Sequence, residues 1–270
     1  MDIYKGYKIL TGSSDVINQE MNNINYSDWN INEYFLIRNT DDGSEHEMRF
    51  NGFDFVPLKL PPSKFVKAKN ALQRCALDAL CNPDITIVAV LGTYGSGKSY
   101  LTARMALYHV NEKGNQSFIE CIREYCGDGR QLGFLPGELD NKIYQFTLPF
   151  SQQLDGGEFE MESLRHRGVL NATTPFFLKG QTFNNTVLWV DEAEDLTESQ
   201  LRLVGTRVGE NSQIFISGDI GQSIYRNAET NPLLRMCDEL KGNREFACIY
   251  LDEDIRSKTS RLFADLFRKD

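Results

Sequence analysis

A glycine-rich run at residues 92–99 (GTYGSGKS) has the residue types and the spacing to bind phosphate. Gly92 is followed by four residues and then by the tripeptide GKS, which is the P-loop pattern. Its glycines let the backbone turn tightly and approach phosphate oxygens without a Cβ atom in the way. The backbone N–H groups then point at the phosphates, at the positive end of the helix that follows. The run therefore predicts a nucleoside triphosphate site.

Two side chains of this run are suited to the chemistry of a triphosphate. Lys98 offers a compact cation for the β- and γ-phosphates, and the Ser99 hydroxyl is a suitable ligand for Mg²⁺. The alternative is a glycine-rich turn that binds no ligand. The apolar run 88–91 before the motif and the helical pattern 100–110 after it favour the phosphate site.

A second apolar run, 186–190 (TVLWV), ends in two adjacent carboxylates, Asp191 and Glu192. Open α/β sheets bind ligands at this end of their strands. Asp191 is suited to hold Mg²⁺ through water, and Glu192 is suited to polarise an attacking water as general base. The alternative is an acidic helix N-terminus, but a P-loop in the same chain favours the catalytic interpretation.

A third strand-like run, 214–218, ends at Asp219, with Gln222 three residues further on. A polar residue at the end of a strand beside the carboxylate pair can sense the γ-phosphate. The alternative is an ordinary turn, in which Gly-Asp is common. By itself this motif does not decide between the two.

Composition narrows the classes of protein. The chain has 270 residues, 41% of them apolar and 25% charged, and a net charge of −9, which argues against a protein that coats nucleic acid over its whole surface. No apolar run approaches a membrane span, and the N-terminus lacks a signal-peptide layout. The six cysteines form no CxxC pair, so we expect free thiols and no zinc site. A cytoplasmic protein is expected, in the host cytoplasm if it is viral.

The first 60 residues predict a small antiparallel β module. Strand-like runs at 33–38, 47–50 and 53–60 are separated by Asp-Gly at 42–43 and Asn-Gly at 51–52, which are strong hairpin signals. Two prolines at 61 and 62 close the module. We therefore predict a β module at 1–62 and a larger core at 63–270.

Strands and helices alternate in the core, which predicts a mostly parallel sheet with helices on both faces. The predicted strands are 84–91, 117–121, 186–190, 213–217 and 246–251. The predicted helices are 71–80, 100–110, 197–208 and 257–268, with short helices at 146–154 and 161–164.

Four stretches of the core resemble the PhoH-like family of P-loop ATPases, which are related to the motor cores of superfamily 1 helicases. They are a glutamine-bearing helix with Gln73 and 77–80, the octapeptide 132–139 (LGFLPGEL), the run 177–182 (FLKGQT) leading to Asp191, and 206–209 (TRVG) with 217–219 and Gln222. The resemblance covers about residues 70–260 and implies a RecA-like fold that hydrolyses ATP with Mg²⁺, in a phage version of the family. Tyr94 and Gln181 depart from the family pattern, which favours a small residue and an arginine there.

The resemblance also implies roles for three residues outside the P-loop. Gln73 would recognise the adenine edge, since an amide both donates and accepts; otherwise it is a surface helix residue. Arg207 and Arg256 are candidates to stabilise charge on the transferring phosphoryl group, and the alternative for each is a surface salt bridge.

Together these inferences define the predicted site. The predicted catalytic residues are Lys98, Asp191, Glu192, Arg207, Gln222 and Arg256. The predicted nucleotide-binding residues are Gln73, Gly92, Thr93, Tyr94, Gly95, Ser96, Gly97, Lys98, Ser99, Tyr100 and Asp219. Ser99 and Asp191 are the predicted Mg²⁺ ligands.

Two expectations concern partners. Too few residues follow Asp191 to build a second core, so the far side of the nucleotide faces solvent or another copy of the protein; we expect a ring of six subunits with an arginine acting in trans. One stretch combines cations with aromatic rings that suit unpaired bases: Arg165, Arg167, Phe176, Phe177 and Lys179. The stretch 64–69 contributes further positive charge to this candidate surface. With the resemblance, they predict binding of single-stranded nucleic acid, RNA ahead of DNA. A solvated basic loop with two core phenylalanines is the alternative.

Two other functions are consistent with the same motifs. One is a nucleotide-operated switch that times assembly with a protein partner. The other is a small-molecule kinase, which the paired carboxylates and the lack of an arginine-rich lid argue against.

Overall fold

The structure, a computed structural model, describes residues 3–124, 148–225 and 230–252. The strands are β1 (Tyr7–Gly12), β2 (Tyr34–Asn39), β3 (Glu45–Phe50), β4 (Phe55–Pro57), β5 (Ile87–Gly92), β6 (Phe118–Arg123), β7 (Leu170–Thr173), β8 (Thr186–Asp191), β9 (Gln213–Gly218) and β10 (Phe246–Leu251). The helices are α1 (Ser14–Asn22), α2 (Ala71–Cys81), α3 (Lys98–Leu107), α4 (Gly157–His166), α5 (Glu198–Gly205) and α6 (Pro232–Leu240).

The larger sheet has six strands in the order β10-β5-β9-β8-β6-β7, all parallel. Within β5, Val88 and Val90 belong to one apolar cluster, whereas Ala89 and Leu91 belong to another. Successive side chains of a strand point to opposite faces, so this strand is buried on both. Helices α2 and α3 cover the first face, and α5 and α6 cover the second. The predicted α/β core with helices on both faces is confirmed.

The smaller sheet has the order β1-β2-β3-β4. The two hairpins form at the predicted turns, where Gly43 and Gly52 have φ of 71° and 97°. Strand β1 instead pairs in parallel with β2, so the sheet is mixed and not wholly antiparallel. Parallel neighbours need a crossover, and α1 supplies it in a stretch for which the sequence predicted no helix. None of the α1 residues is fully buried.

Helix α2 joins the two sheets through a buried carboxylate. Asp78 accepts hydrogen bonds from Arg49 Nε at 2.8 Å, from the Tyr34 hydroxyl at 2.9 Å and from the Lys59 backbone N–H at 2.6 Å. A buried carboxylate is tolerated when it is paired and hydrogen-bonded, and removing one member leaves the others unsatisfied. The smaller sheet therefore packs on the helix that carries Gln73. The domain boundary between residues 62 and 63 stays a prediction.

Helix α5 is shorter than predicted. Thr197 is its N-cap, and the side chains and backbone of Thr197 and Gln200 form a capping box. The helix ends at Gly205, and Val208 pairs with Phe183 in an isolated parallel bridge, so the prediction of helix to residue 208 is wrong. The predicted helix at 257–268 lies outside the described residues.

Candidate functional site

The turn between β5 and α3 has the geometry of a phosphate cradle. Gly95 and Gly97 both have φ of 89°, a left-handed conformation that favours glycine. A Cβ atom on Gly92 would lie 2.4 Å from the carbonyl oxygen of Leu251. Helix α3 begins at Lys98, so its first N–H groups face the turn. The predicted strand, glycine turn and helix are therefore placed as the pattern requires.

Lys98 projects into an open pocket of about 450 Å³ at the end of the sheet. Its Nζ lies 3.5 Å from Asp219 Oδ2 and 3.4 Å from the Thr93 carbonyl oxygen. Gln222 Nε2 donates to the same Asp219 oxygen at 2.7 Å. The structure therefore brings Lys98, Asp219 and Gln222 together in one pocket, as predicted from two separated motifs.

Asp191 lies between two hydroxyl groups. Ser99 Oγ donates to Asp191 Oδ1 at 2.8 Å, and Ser217 Oγ donates to the same oxygen at 2.7 Å. Asp191 is buried at the end of β8. Strand β9 lies between β8 and β5, the strand that leads into the P-loop. Carboxylate and hydroxyl oxygens are ligands that Mg²⁺ prefers, so the predicted pair Ser99 and Asp191 fits this ion. The sequence did not identify Ser217.

Glu192 has a left-handed backbone, with φ of 52°, which directs its side chain away from the strand. The carboxylate is half exposed and lines the pocket. It forms an ion pair with Arg123, whose guanidinium also lies 3.7 Å from Asp191 Oδ2. Arg123, which no sequence motif indicated, ends β6 directly opposite Asp191 in the parallel register. Its position two residues after the predicted strand 117–121 was the available signal.

Glu194 is a second pocket residue that the sequence analysis did not assign to the site. It is buried, and its Oε2 makes no hydrogen bond with the part of the chain that the structure describes. Burial raises the pKa of this carboxyl to about 7, although the charge of Lys98 opposes the rise. The pocket therefore contains a carboxyl that changes protonation near neutral pH.

Gln73 lies next to the P-loop and forms a hydrogen bond with its backbone. Its Nε2 donates to the Ser96 carbonyl oxygen at 2.8 Å, and its Oε1 accepts from the Lys69 backbone N–H at 2.8 Å. The residue is 2% exposed, so the interpretation as a surface helix residue is wrong. Recognition of adenine by Gln73 stays a prediction, since each amide atom has a further bonding position.

Two tyrosines border the pocket at the P-loop. The Tyr94 side chain is 60% exposed and that of Tyr100 is 39% exposed, and both line the pocket. Gln152 and Gln153 line it as well. Two rings at the mouth of a phosphate pocket can contact the base or ribose of a nucleotide.

Arg207, one of the two predicted arginines, does not line this pocket. Arg207 lies just after α5, where Nη1 donates to the Gln181 carbonyl oxygen at 3.2 Å. Arg256 and the octapeptide 132–139 lie outside the described residues. Among the residues described around the pocket, the cations are Lys98 and Arg123.

The parallel sheet, the glycine cradle and the carboxylate pair define an α/β protein of the P-loop nucleotide-binding class. Within the described residues, no helix has the length and apolar character to cross a membrane.

Comparison with known proteins identifies the family. The model of the PhoH-like protein family matches residues 65–268, and the chain belongs to this family. It is 28% identical over 210 residues to Protein PhoH2 of Bacillus subtilis, covering 74% of this chain and 47% of that protein. It is 31% identical over 202 residues to a PhoH-like protein of Synechocystis, covering 73% of this chain and 60% of that protein. The chain thus spans about half to three fifths of the length of these curated relatives.

Proposed function

We propose that the protein hydrolyses ATP with Mg²⁺ and couples this hydrolysis to single-stranded nucleic acid. The observation that carries the proposal is the 2.8 Å contact between Ser99 and Asp191 in the pocket that also contains Lys98 and Glu192. These residues come from two distant motifs, and their roles in triphosphate chemistry are complementary. Family membership supports the same chemistry.

The pocket residues divide the reaction between them. Lys98 and the cradle N–H groups bind the β- and γ-phosphates, and Glu192 takes the proton of the attacking water. Asp219 and Gln222, which are hydrogen-bonded to each other beside Lys98, would orient this water. Ser99 and Asp191 would hold Mg²⁺, which supplies positive charge to the phosphate oxygens when bound.

A second concave surface supports a nucleic-acid partner. The cationic groove, lined by Glu124, Phe176, Lys179, Arg202 and Arg207, has a volume of about 470 Å³. The Phe176 ring is 70% exposed, and Lys179 Nζ lies 5.9 Å from its centroid. An exposed ring beside three cations suits unpaired bases and their phosphates. The positive charge of this groove is local, since the chain as a whole has a net charge of −9.

The structure separates residues that the sequence analysis placed on one surface. Arg165 and Arg167 precede β7, whereas Phe176, Phe177 and Lys179 follow it. A four-residue strand spans about 13 Å, so the two groups lie at opposite ends of the sheet. A common role of the two arginines and the rings in one surface stays a prediction. The arginines that line the groove with Phe176 are Arg202 and Arg207.

Substitutions in the groove test this partner. Phe176→Ala is expected to weaken binding of a single-stranded RNA by about tenfold, because stacking on one ring contributes about 1–3 kcal/mol. Lys179→Ala should lower the slope of log affinity against log salt by about 0.7, the value for one phosphate contact. Fluorescence anisotropy with labelled RNA and DNA oligonucleotides measures both effects, and we expect tighter binding to RNA.

The same measurement has matched controls among residues that do not line the cationic groove. Phe159→Ala removes a ring that is 86% exposed on α4, and the pair Arg165→Ala, Arg167→Ala removes two cations. Both should leave RNA affinity within about twofold of the unsubstituted protein. Loss of binding in the arginine pair, with Phe176→Ala unchanged, would contradict the groove. Stimulation of phosphate release by the oligonucleotide separates a motor from a switch that acts on a protein partner.

We also propose a homohexameric ring in which Arg207 or Arg256 acts on the nucleotide of a neighbouring subunit. Arg207 lines the cationic groove and not the P-loop pocket of its own subunit, so any action on a nucleotide would be at a neighbouring subunit. A C6 ring presents one surface of each subunit to a different surface of the next, so such a contact repeats around it.

Mixing experiments test the action in trans. Lys98→Ala and Arg207→Ala subunits should each be inactive alone, and their mixture should regain part of the ATPase activity, because mixed rings place an intact Lys98 beside an intact Arg207. Mixing Lys98→Ala with Glu192→Gln is the control and should regain none, because both lesions affect the pocket of their own subunit. Mass photometry in ATP should show six subunits; a fully active single subunit would contradict the ring.

A further inference from the structure

Arg123 occupies the position between the P-loop pocket and the cationic groove. It is the last residue of β6, and its side chain is 22% exposed. Its guanidinium faces Asp191 and Glu192, which follow each other at the end of the neighbouring strand. The next residue, Glu124, faces the groove and accepts a hydrogen bond from Gln200 Nε2 at 2.6 Å. Because Gln200 belongs to the capping box of α5, the end of β6 is anchored to a helix.

Apart from Arg123, little in the described structure fixes the position of the Glu192 side chain. A non-glycine residue in the left-handed region costs about 1–2 kcal/mol, so its backbone is held in place by the surrounding structure. Its side chain, however, is 49% exposed and gains little from packing. The ion pair with Arg123 is the contact that the described structure provides for this carboxylate. A general base must lie within hydrogen-bond reach of the water it activates, so a loosely held carboxylate would be inefficient.

We propose that Arg123 is a positioning residue that holds the Glu192 carboxylate in place for water activation. A planar guanidinium suits this task because it can face two carboxylates at once and hold a fixed orientation. Arg123 acts on the reaction through Glu192, while Lys98 and the backbone cradle bind the phosphates without it. The inference rests on the proposed hydrolysis and adds a residue to it.

A double-mutant cycle measures whether the two residues act as a unit. The four proteins are the unsubstituted chain, Arg123→Ala, Glu192→Gln and the double variant. Arg123→Ala alone is expected to lower kcat by about 10- to 100-fold and to change the KM for ATP by less than about threefold. In the Glu192→Gln background the same substitution should change the residual rate by less than about twofold, because the residue it positions is already inactive.

Matched variants separate positioning from general structural damage. Arg123→Lys keeps the charge but loses the planar group, so it should recover only part of kcat. Arg235→Ala removes an arginine that pairs with Glu198 and Glu239 on the surface, and it should leave kcat unchanged. Thermal unfolding of each protein verifies that it is folded, and Arg123→Gln replaces Arg123→Ala if the latter is not.

The outcomes distinguish failure of this inference from failure of the proposed function. If the unsubstituted protein does not hydrolyse ATP, the proposed function is wrong, and the inference falls with it. If hydrolysis occurs and Glu192→Gln slows it to a low but measurable rate, but Arg123→Ala lowers the rate by the same factor in both backgrounds, Arg123 acts independently of Glu192 and the inference alone is overturned. An unchanged kcat in Arg123→Ala overturns it as well.

Discussion

Glu192→Gln is expected to lower the rate of ATP hydrolysis by about 10²- to 10⁴-fold while ATP still binds. The amide has nearly the same shape as the carboxylate but does not accept a proton, and general-base catalysis contributes a factor of this size. The residue is half exposed at the pocket, so the substitution leaves no buried group unsatisfied. Phosphate release under single-turnover conditions measures the rate, and a fluorescent ATP analogue measures binding.

A matched substitution sharpens this result. Glu198→Gln makes the same chemical change on an exposed glutamate at the start of α5, and it should leave the rate unchanged. If Glu192→Gln retains more than about a tenth of the rate, another group activates the water, and Glu194 is the pocket carboxyl to substitute next.

Lys98→Ala is expected to reduce both ATP affinity and hydrolysis, with a loss of about 10²- to 10³-fold in kcat/KM. Lys98 is the cation at the first turn of α3, and an electrostatic donor aimed at developing charge contributes a factor of this order. Steady-state phosphate release and nucleotide titration measure the two effects. Lys241→Ala, which breaks a surface pair with Asp238, is the control and should change neither.

The lysine substitution also has a structural consequence that can be separated from the chemistry. Asp219 is buried, and Lys98 lies 3.5 Å from its carboxylate, so Lys98→Ala leaves a buried charge without its cation. Adding Asp219→Asn should restore part of the lost stability in urea denaturation, but no activity. Recovery of hydrolysis in the double variant would show that Lys98 acts only by neutralising Asp219.

Features that depend on neighbouring residues in the chain were predictable from sequence. The two glycine turns of the smaller sheet follow from Asp-Gly and Asn-Gly, which adopt turn conformations locally. The P-loop is predictable for the same reason, since its glycines, Lys98 and the start of α3 lie within eight residues. Strand β10 matches its predicted bounds because a buried parallel strand is a continuous apolar run.

Elements with weak or ambiguous patterns were missed. Helix α6 begins at Pro232 and strand β7 has only four residues, and neither was predicted. A short apolar run does not distinguish a strand from a buried helix segment, and tertiary packing decides which forms. The parallel pairing of β1 with β2 was not predictable either. The alternation of side chains along a strand is compatible with both a parallel and an antiparallel neighbour.

By itself the sequence determined that the chain has a phosphate cradle and a carboxylate pair on a parallel α/β sheet, because these features are encoded over short distances. Only the tertiary structure decided which side chains meet. The register of β6 against β8 places Arg123 opposite Asp191. Paired residues of these two strands are far apart in the chain: Ser117 and Asn185, at the start of the pair, are separated by 68 positions. The burial of Gln73 and the separation of Arg165 from Phe176 arise in the same way. Contacts between distant segments depend on the order and register of strands, which no local pattern specifies.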